Sequence, residues 1–429
     1  MRKSDLINDL WKRAEEALYA LYGDMPDIRI LNRFYAEKIT LGQSDSIIFY
    51  DLMADIRIEA KDRKELTRLG GNGAFSLVAY LMGASEINPL KLHYFCPRCK
   101  MVEFVNARAL PWDMPSKQCA CGCEMRPDGF DLACELYATK SVPYMHLSVS
   151  SDFLPIAKRL IKEKMTGLYR IADLSAADLK LNKFVFLPLS GEPDFNKILD
   201  RTDNKYAGIP QIAITAVRGY DVPKMLSNSC GIDFDEITAE ISDRYLSDPR
   251  IIAEFARANI GGVLGFDWFG NPHSAEIKDQ LIAAAPKSSY DLLKYLGSMQ
   301  GVSNWWDNAE RLVKDGVCAI GDIPSYRDDI FAVVRDKLEE AGQPGAGIAY
   351  KISNNARVGF YAKNGLGGLD LAILESLDLP DWFIPYIEKV SYMSPKAVGV
   401  ETLRIALAFM WYKINYPEAF DAFVKARLK

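Results

Sequence analysis

Five of the chain's eight cysteines stand between Cys96 and Cys123. Cys96-Pro-Arg-Cys99 is a C-x2-C knuckle, and Cys119-Ala-Cys121-Gly-Cys123 follows it after residues 100–118. Two knuckles at this separation have zinc-ribbon spacing, in which each tight turn offers two thiolates to one tetrahedral Zn²⁺ at about 2.3 Å. The constraint on folding is strong, because the chain must carry both turns to one point. The second knuckle is irregular, so the expected ligands are Cys96, Cys99 and two of Cys119, Cys121 and Cys123, with Cys119 and Cys121 as the chosen pair. Sulfur alone closes such a site, which makes the zinc structural and not catalytic. The plain alternative is a group of thiols that bind nothing. Cys134, Cys230 and Cys318 read as ordinary core residues.

A length of 429 residues implies two or three domains at about 150 residues each. With 49% apolar and 25% charged residues the composition is that of a folded globular chain. The net charge of −5 excludes a non-specific polyanion binder held by charge alone. Met1-Arg-Lys-Ser-Asp-Leu-Ile runs directly into a charged amphipathic pattern without a leader-like apolar run. The most apolar stretch, Leu403–Tyr412, contains Arg404 and is too short to span a bilayer. A cytoplasmic protein with no membrane partner is expected, and clustered cysteines in a reducing compartment point to metal. Only His93, His146 and His273 are present, which argues against a three-histidine hydrolase.

Residues 5–22, 27–40 and 45–57 carry helical periodicity, and the glycines of Arg68-Leu-Gly-Gly-Asn-Gly73 read as a loop before a helix at 74–82. The stretches from Val142, Lys183 and Gln211 alternate as strands, and helical periods dominate from 223 onward. The expected class is α+β, with segments 1–90, 91–130, 131–222 and 223–429.

Several motifs then combine. Leu21-Tyr-Gly-Asp-Met-Pro, Ser85-Glu-Ile-Asn-Pro-Leu90, Tyr94-Phe-Cys-Pro-Arg-Cys-Lys-Met-Val-Glu-Phe104 and Asp128-Gly129 occur in order. Gly297-Ser-Met-Gln-Gly-Val-Ser-Asn-Trp-Trp-Asp-Asn-Ala-Glu310, Arg327-Asp-Asp-Ile330, Leu379-Pro-Asp-Trp382 and Tyr392-Met-Ser-Pro-Lys-Ala397 follow. This series resembles the palm-to-fingers core of the Gram-positive-type (PolC) C-family DNA polymerase III alpha subunit. The resemblance implies a nucleotidyltransferase-like palm in two segments (1–90 and 131–222), an inserted zinc-ribbon, thumb-like module at 91–130, and a helical fingers domain at 223–429. Nothing resembles the family's exonuclease, phosphoesterase-like or OB portions.

In the family, three palm aspartates hold two Mg²⁺ ions, two of them in a strand reading Val-Pro-Asp-Ile-Asp. Here the strand is Val142-Pro-Tyr144-Met-His146, and Ala213 in Pro210-Gln-Ile-Ala213 takes the third position. The family's phosphate-loop arginine position is Gly70, with Arg68 close by, and the fingers histidine is Gln300. A phenol, an imidazole and a methyl group cannot hold paired magnesium ions. The resemblance therefore implies structural Zn but no Mg at the former catalytic site, and no catalytic residues. Arg68, Gly70, Gly71 and Gly73 remain as a phosphate or DNA contact.

Smaller features have plain readings. His146 with Asp152 and Glu192 is a weak candidate for a new site, because a strand histidine is usually packed. Trp305-Trp306 reads as core before it reads as a stacking platform, and Arg159, Lys162 and Lys164 as a solvated helix face. The expected function is a non-catalytic binding or scaffold protein in DNA replication or a phage or mobile-element process. Its partner would be a replication protein, weakly held primer-template DNA, or both. The alternative is a nucleotide- or DNA-processing enzyme with a repurposed active site.

Overall fold

Three helices open the chain: Lys3–Tyr22, Ile28–Leu41 and Ser46–Asp62. In the first, Leu10, Ala14, Leu18 and Tyr22 recur every fourth residue and are buried, and Gly23 ends it by donating its N–H to the Tyr19 carbonyl. Asp27 caps the second through the Arg29 N–H. The third is buried continuously from Ser46 to Ala54, which places it at the centre of the first half. The computed structural model describes residues 2–71, 73–174, 181–190, 209–239, 245–266 and 274–428.

Among the described residues the strands are β1 (Arg68–Gly71), β2 (His93–Phe95), β3 (Val102–Phe104), β4 (Lys117–Gln118), β5 (Glu124–Asp128), β6 (Tyr144–Val149), β7 (Arg170–Asp173), β8 (Leu181–Leu187) and β9 (Gln211–Ala216). They form two sheets, one ordered β1-β6-β9-β8-β7 and one ordered β3-β2-β5-β4. In the larger sheet β6 and β9 run parallel and the other pairs antiparallel. Met145, Leu147, Val149, Ile212, Ile214, Phe184 and Phe186 enter the main core on one face. Helix Ser46–Asp62 and helix Leu154–Met165 cover that face, with Phe49 set edge-on to Phe186 at 5.2 Å.

The glycine run at 68–71, expected as a loop, is the edge strand β1. It pairs Arg68 with Ser148 and Gly70 with His146. Four residues are too few to show an alternation, and here glycine serves close approach. At Gly71 φ is +108°, and a Cβ would lie 2.0 Å from the Tyr144 carbonyl oxygen. The helix after it is shorter than expected, Leu77–Leu81.

The small sheet has its own core of Leu92, Tyr94, Cys96, Met114, Cys119 and Met125. The second half is helical and is built around Lys396–Asn415, which is buried from Lys396 to Tyr412 except at Val398. Its apolar side chains join the same core cluster as the larger sheet, from Leu10 to Val424. No helix among the described residues is long and apolar enough to cross a membrane.

Candidate functional site

Two sites emerge, one of sulfur and one on the face of the larger sheet that turns away from the main core. The sulfur site gathers Cys96, Cys99, Cys119 and Cys121, whose Sγ atoms all lie within 4.8 Å of one another. The Cys96–Cys121 and Cys99–Cys119 sulfurs are 3.5 and 3.4 Å apart. Zn–S bonds of about 2.3 Å put tetrahedral sulfurs about 3.8 Å apart, so four thiolates at these separations fit a metal ion. The first knuckle is closed by Lys100 N–H to Cys96 O and Cys96 N–H to Met101 O. The second is closed by Gly122 N–H to Cys119 O and Cys119 N–H to Cys123 O, with Gly122 at φ +78° in open space. The backbone N–H of Cys99 is the first of several donors that bring the Cys96 thiol down to about 6. Cys119 in the same cluster, although the Cys121 N–H favours its thiolate, is pushed up to about 12 by burial and the neighbouring sulfurs. Cys123 stands outside the cluster, its sulfur 3.6 Å from the Glu124 carbonyl.

The second face of the larger sheet follows from register. Gly70, His146, Ala213 and Lys183 form one row across β1, β6, β9 and β8. Arg68, Ser148 and Thr215 form the next row, and Tyr144 pairs with Gln211 beyond. Paired residues project to the same side, and this side is opposite to the core-facing Met145 and Ile212. Thus Tyr144, His146 and Ala213, distant in sequence, are neighbours. His146 Nε2 lies 2.9 Å from the Thr215 hydroxyl oxygen. Burial, reinforced by the Arg68 charge, holds the His146 pKa below its ordinary value, so the ring is neutral at pH 7. Burial likewise lowers the Lys183 pKa and raises that of Tyr144. Arg68 Nη1 donates to Thr402 Oγ1 at 3.2 Å.

Gly71 and Gly73 shape this edge: Gly71 closes on Tyr144, while the Gly73 carbonyl accepts the Tyr50 hydroxyl at 2.9 Å. Gly70 is different, because a Cβ there would make only ordinary contact with His146 at 3.7–3.9 Å.

Other candidates separate. Asp152 lies in the turn after β6 and is exposed, while Glu192 and His273 lie outside the described residues. Trp305 is buried, but Trp306 is 42% exposed. Arg159 and Lys162, exposed, pair with Glu163 and Asp173 as on a solvated helix face, whereas Lys164 is partly buried and bridges Asp51, which is buried, and Asp55 of the third helix. Asp128 is structural: its carboxylate accepts from Asn88 Nδ2 and from the Tyr80 hydroxyl, tying the Glu-Ile-Asn-Pro run to the Asp-Gly pair.

Sequence reasoning missed Lys183, although a lysine among Leu181, Phe184, Val185 and Phe186 is the signal of a strand residue facing away from the core. It also missed a partly buried ionic junction. There Glu86 pairs with both Arg57 and Arg404. Glu401, one turn before Arg404, is buried and has one carboxylate oxygen without a hydrogen-bond partner.

This arrangement is matched by a likeness along almost the whole chain. The DNA polymerase III PolC-type of Caldanaerobacter subterraneus subsp. tengcongensis is 25% identical over 95% of this chain and 33% of the relative. Those of Lacticaseibacillus paracasei and Thermotoga petrophila are each 26% identical, over 97% and 94% of this chain. The chain resembles PolC-type DNA polymerase III. It spans about a third of the length of these PolC relatives, 32–34%. No protein-family model matches it.

Proposed function

We propose that the chain is a PolC-like homologue without polymerase chemistry that acts by binding, within DNA replication or a phage or mobile-element process. The observation that carries this reading is the row Gly70–His146–Ala213–Lys183. The PolC resemblance assigns metal-holding aspartates to Tyr144, His146 and Ala213. Paired Mg²⁺ ions need several hard oxygen ligands, and a phenol, an imidazole already committed to Thr215 and a methyl group do not fit them. A neighbouring lysine opposes a second cation there.

The cysteine cluster is read as a structural Zn²⁺ site held by Cys96, Cys99, Cys119 and Cys121. Bound zinc would hold the two knuckles of the 91–130 module together and stiffen its attachment to the rest of the fold. A replication protein is the expected partner, with primer-template DNA bound micromolar or weaker at physiological salt.

Primer extension tests the reading directly. The purified chain, with Mg²⁺ or Mn²⁺, dNTPs and a primed template, should extend no primer, and aspartates restored at 144, 146 and 213 should not recover full activity. Extension by the wild-type chain above a contaminant control would overturn the proposal.

A further inference from the structure

We infer that Cys123 is an oxidation site: a peroxide joins it to Cys96 in a disulfide and thereby releases the metal of the cysteine module. The inference rests on the structural zinc reading above and adds a route by which that zinc leaves.

Cys96, Cys99, Cys119 and Cys121 complete a tetrahedral site, so Cys123 is a fifth sulfur with no place in it. It is nevertheless held beside the cluster. β4 pairs with β5 in the register Lys117 to Met125 and Gln118 to Glu124. One step further sets Cys119 opposite Cys123, and the Cys119 N–H donates to the Cys123 carbonyl at 2.9 Å. Opposed residues of an antiparallel pair project to one side. Cys123 accordingly packs against the small core that contains Cys96 and Cys119. There the Cys96 sulfur acts on Cys123 by charge and hydrogen bond, ahead of Cys121. Gly122, at φ +78° with nothing within 4 Å of its Cβ position, leaves the turn at 120–122 room to bring two sulfurs to bonding distance.

Access separates the sulfurs. Cys96 and Cys119 are buried, whereas Cys123 is half-buried, so a small solute reaches Cys123 where it does not reach Cys96. Cys99 is exposed as well, and its own oxidation is the competing route. With hydrogen peroxide as oxidant the step balances. The Cys123 sulfur attacks one peroxide oxygen, an S–O bond forms, the O–O bond breaks, and hydroxide leaves with the thiol proton as water. The Cys96 thiolate then attacks the Cys123 sulfur, as thiols do with sulfenic acids. An S–S bond forms, the S–O bond breaks, and the departing hydroxide takes a proton from solvent. The two sulfurs have lost two electrons, peroxide has become two waters, and the metal has lost one of its four ligands. The consequence extends past the module. Asp113 ties it to the helical half, its carboxylate accepting the N–H groups of Ser289 and Tyr290 at 2.8 and 3.0 Å.

The test follows zinc released from the full chain into a chromogenic chelator under excess hydrogen peroxide, with disulfides mapped by peptide mass spectrometry. The wild type should release about one equivalent and yield the linked Cys96–Cys123 peptide. Cys123→Ser should start with its zinc and release it on the order of tenfold more slowly, because the thiol that pairs with Cys96 is gone. Cys230→Ser, outside the module, should behave as the wild type. Equal release from the wild type and Cys123→Ser overturns the inference and leaves the zinc site intact. So does a wild-type disulfide that omits Cys123 or joins two chains. Protein that carries no zinc before oxidation overturns the zinc reading, and this inference with it. If Cys123→Ser starts without metal or with a lowered Tm, the disulfide map of the wild type decides alone.

Discussion

Adjacent glycines at the edge of β1 have opposite tolerances. Gly71 sits at φ +108° with its missing Cβ 2.0 Å from the Tyr144 carbonyl oxygen, so an alanine must both strain the backbone and push β1 off β6. Gly71→Ala should destabilise the chain by at least about 2 kcal/mol, measured by denaturant unfolding. Gly70→Ala should stay within about 0.5 kcal/mol of the wild type, because its Cβ meets only ordinary contacts. Equal effects at the two positions would refute this account of the edge. The sequence advertises the glycines but not their roles. Glycine runs are read as turns, and only pairing with a strand some 75 residues later makes this one a strand. The same is true of the site: Tyr144 and His146 are legible as one strand, whereas their alignment with Ala213 and Lys183 is a fact of register.

At the scale of the element, the cysteine module depends on what its sulfurs hold. Its separate core of Leu92, Tyr94, Met114 and Met125, with Cys96 and Cys119, is small, and its strands are two to five residues long. So few buried side chains do not offset the entropy of ordering two knuckles, and a bound metal would supply the difference. Purified protein should carry about one equivalent of zinc. Chelation, or Cys99→Ser, should destabilise the module by several kcal/mol and speed amide exchange across β2–β5. Cys123→Ser should leave the metal in place, because that sulfur lies outside the cluster. Less than a tenth of an equivalent after metal-free purification would end the zinc assignment. Here the sequence carried most of the information, since a C-x2-C turn is a local geometry. It named Cys119 and Cys121 without a local reason to prefer C-x-C over C-x3-C at the second knuckle, because that choice is made by where β4 and β5 aim the sulfurs.

Across the whole molecule, the two halves meet over buried charge. Arg57 and Glu86 come from the first half and Glu401 and Arg404 from the long helix Lys396–Asn415. No local pattern in the sequence reveals them, for each is a lone charge in an amphipathic or apolar run. The two glutamates diverge. Burial raises both, but at Glu86 the charges of Arg404 and Arg57 win and the pKa falls to about 2. At Glu401 burial wins over Arg404 and Arg68, and the pKa rises from 4.5 to about 7.

The signs give separate pH windows. Stability from Glu86 is lost as pH falls below the ordinary glutamate value towards 2, so it is constant above pH 5. Glu401 acts in the reverse sense. Its folded form keeps a proton that the unfolded chain releases, so stability is full below about 4.5 and declines until pH 7. At 1.36 kcal/mol per pKa unit the decline is on the order of 3 kcal/mol. Asp235, also raised by burial and then by Glu86, adds a slope of the same sign. Glu401→Gln removes the Glu401 contribution alone. The variant should match the wild type within about 1 kcal/mol at pH 5 and exceed it by about 2–3 kcal/mol at pH 8, in denaturant unfolding with zinc present. Groups that titrate in both proteins, His146 and the cysteines among them, cancel in that difference. A difference that does not grow between pH 5 and pH 8 would mean that Glu401 is already ionised throughout, with Arg404 and Arg68 compensating its burial in full.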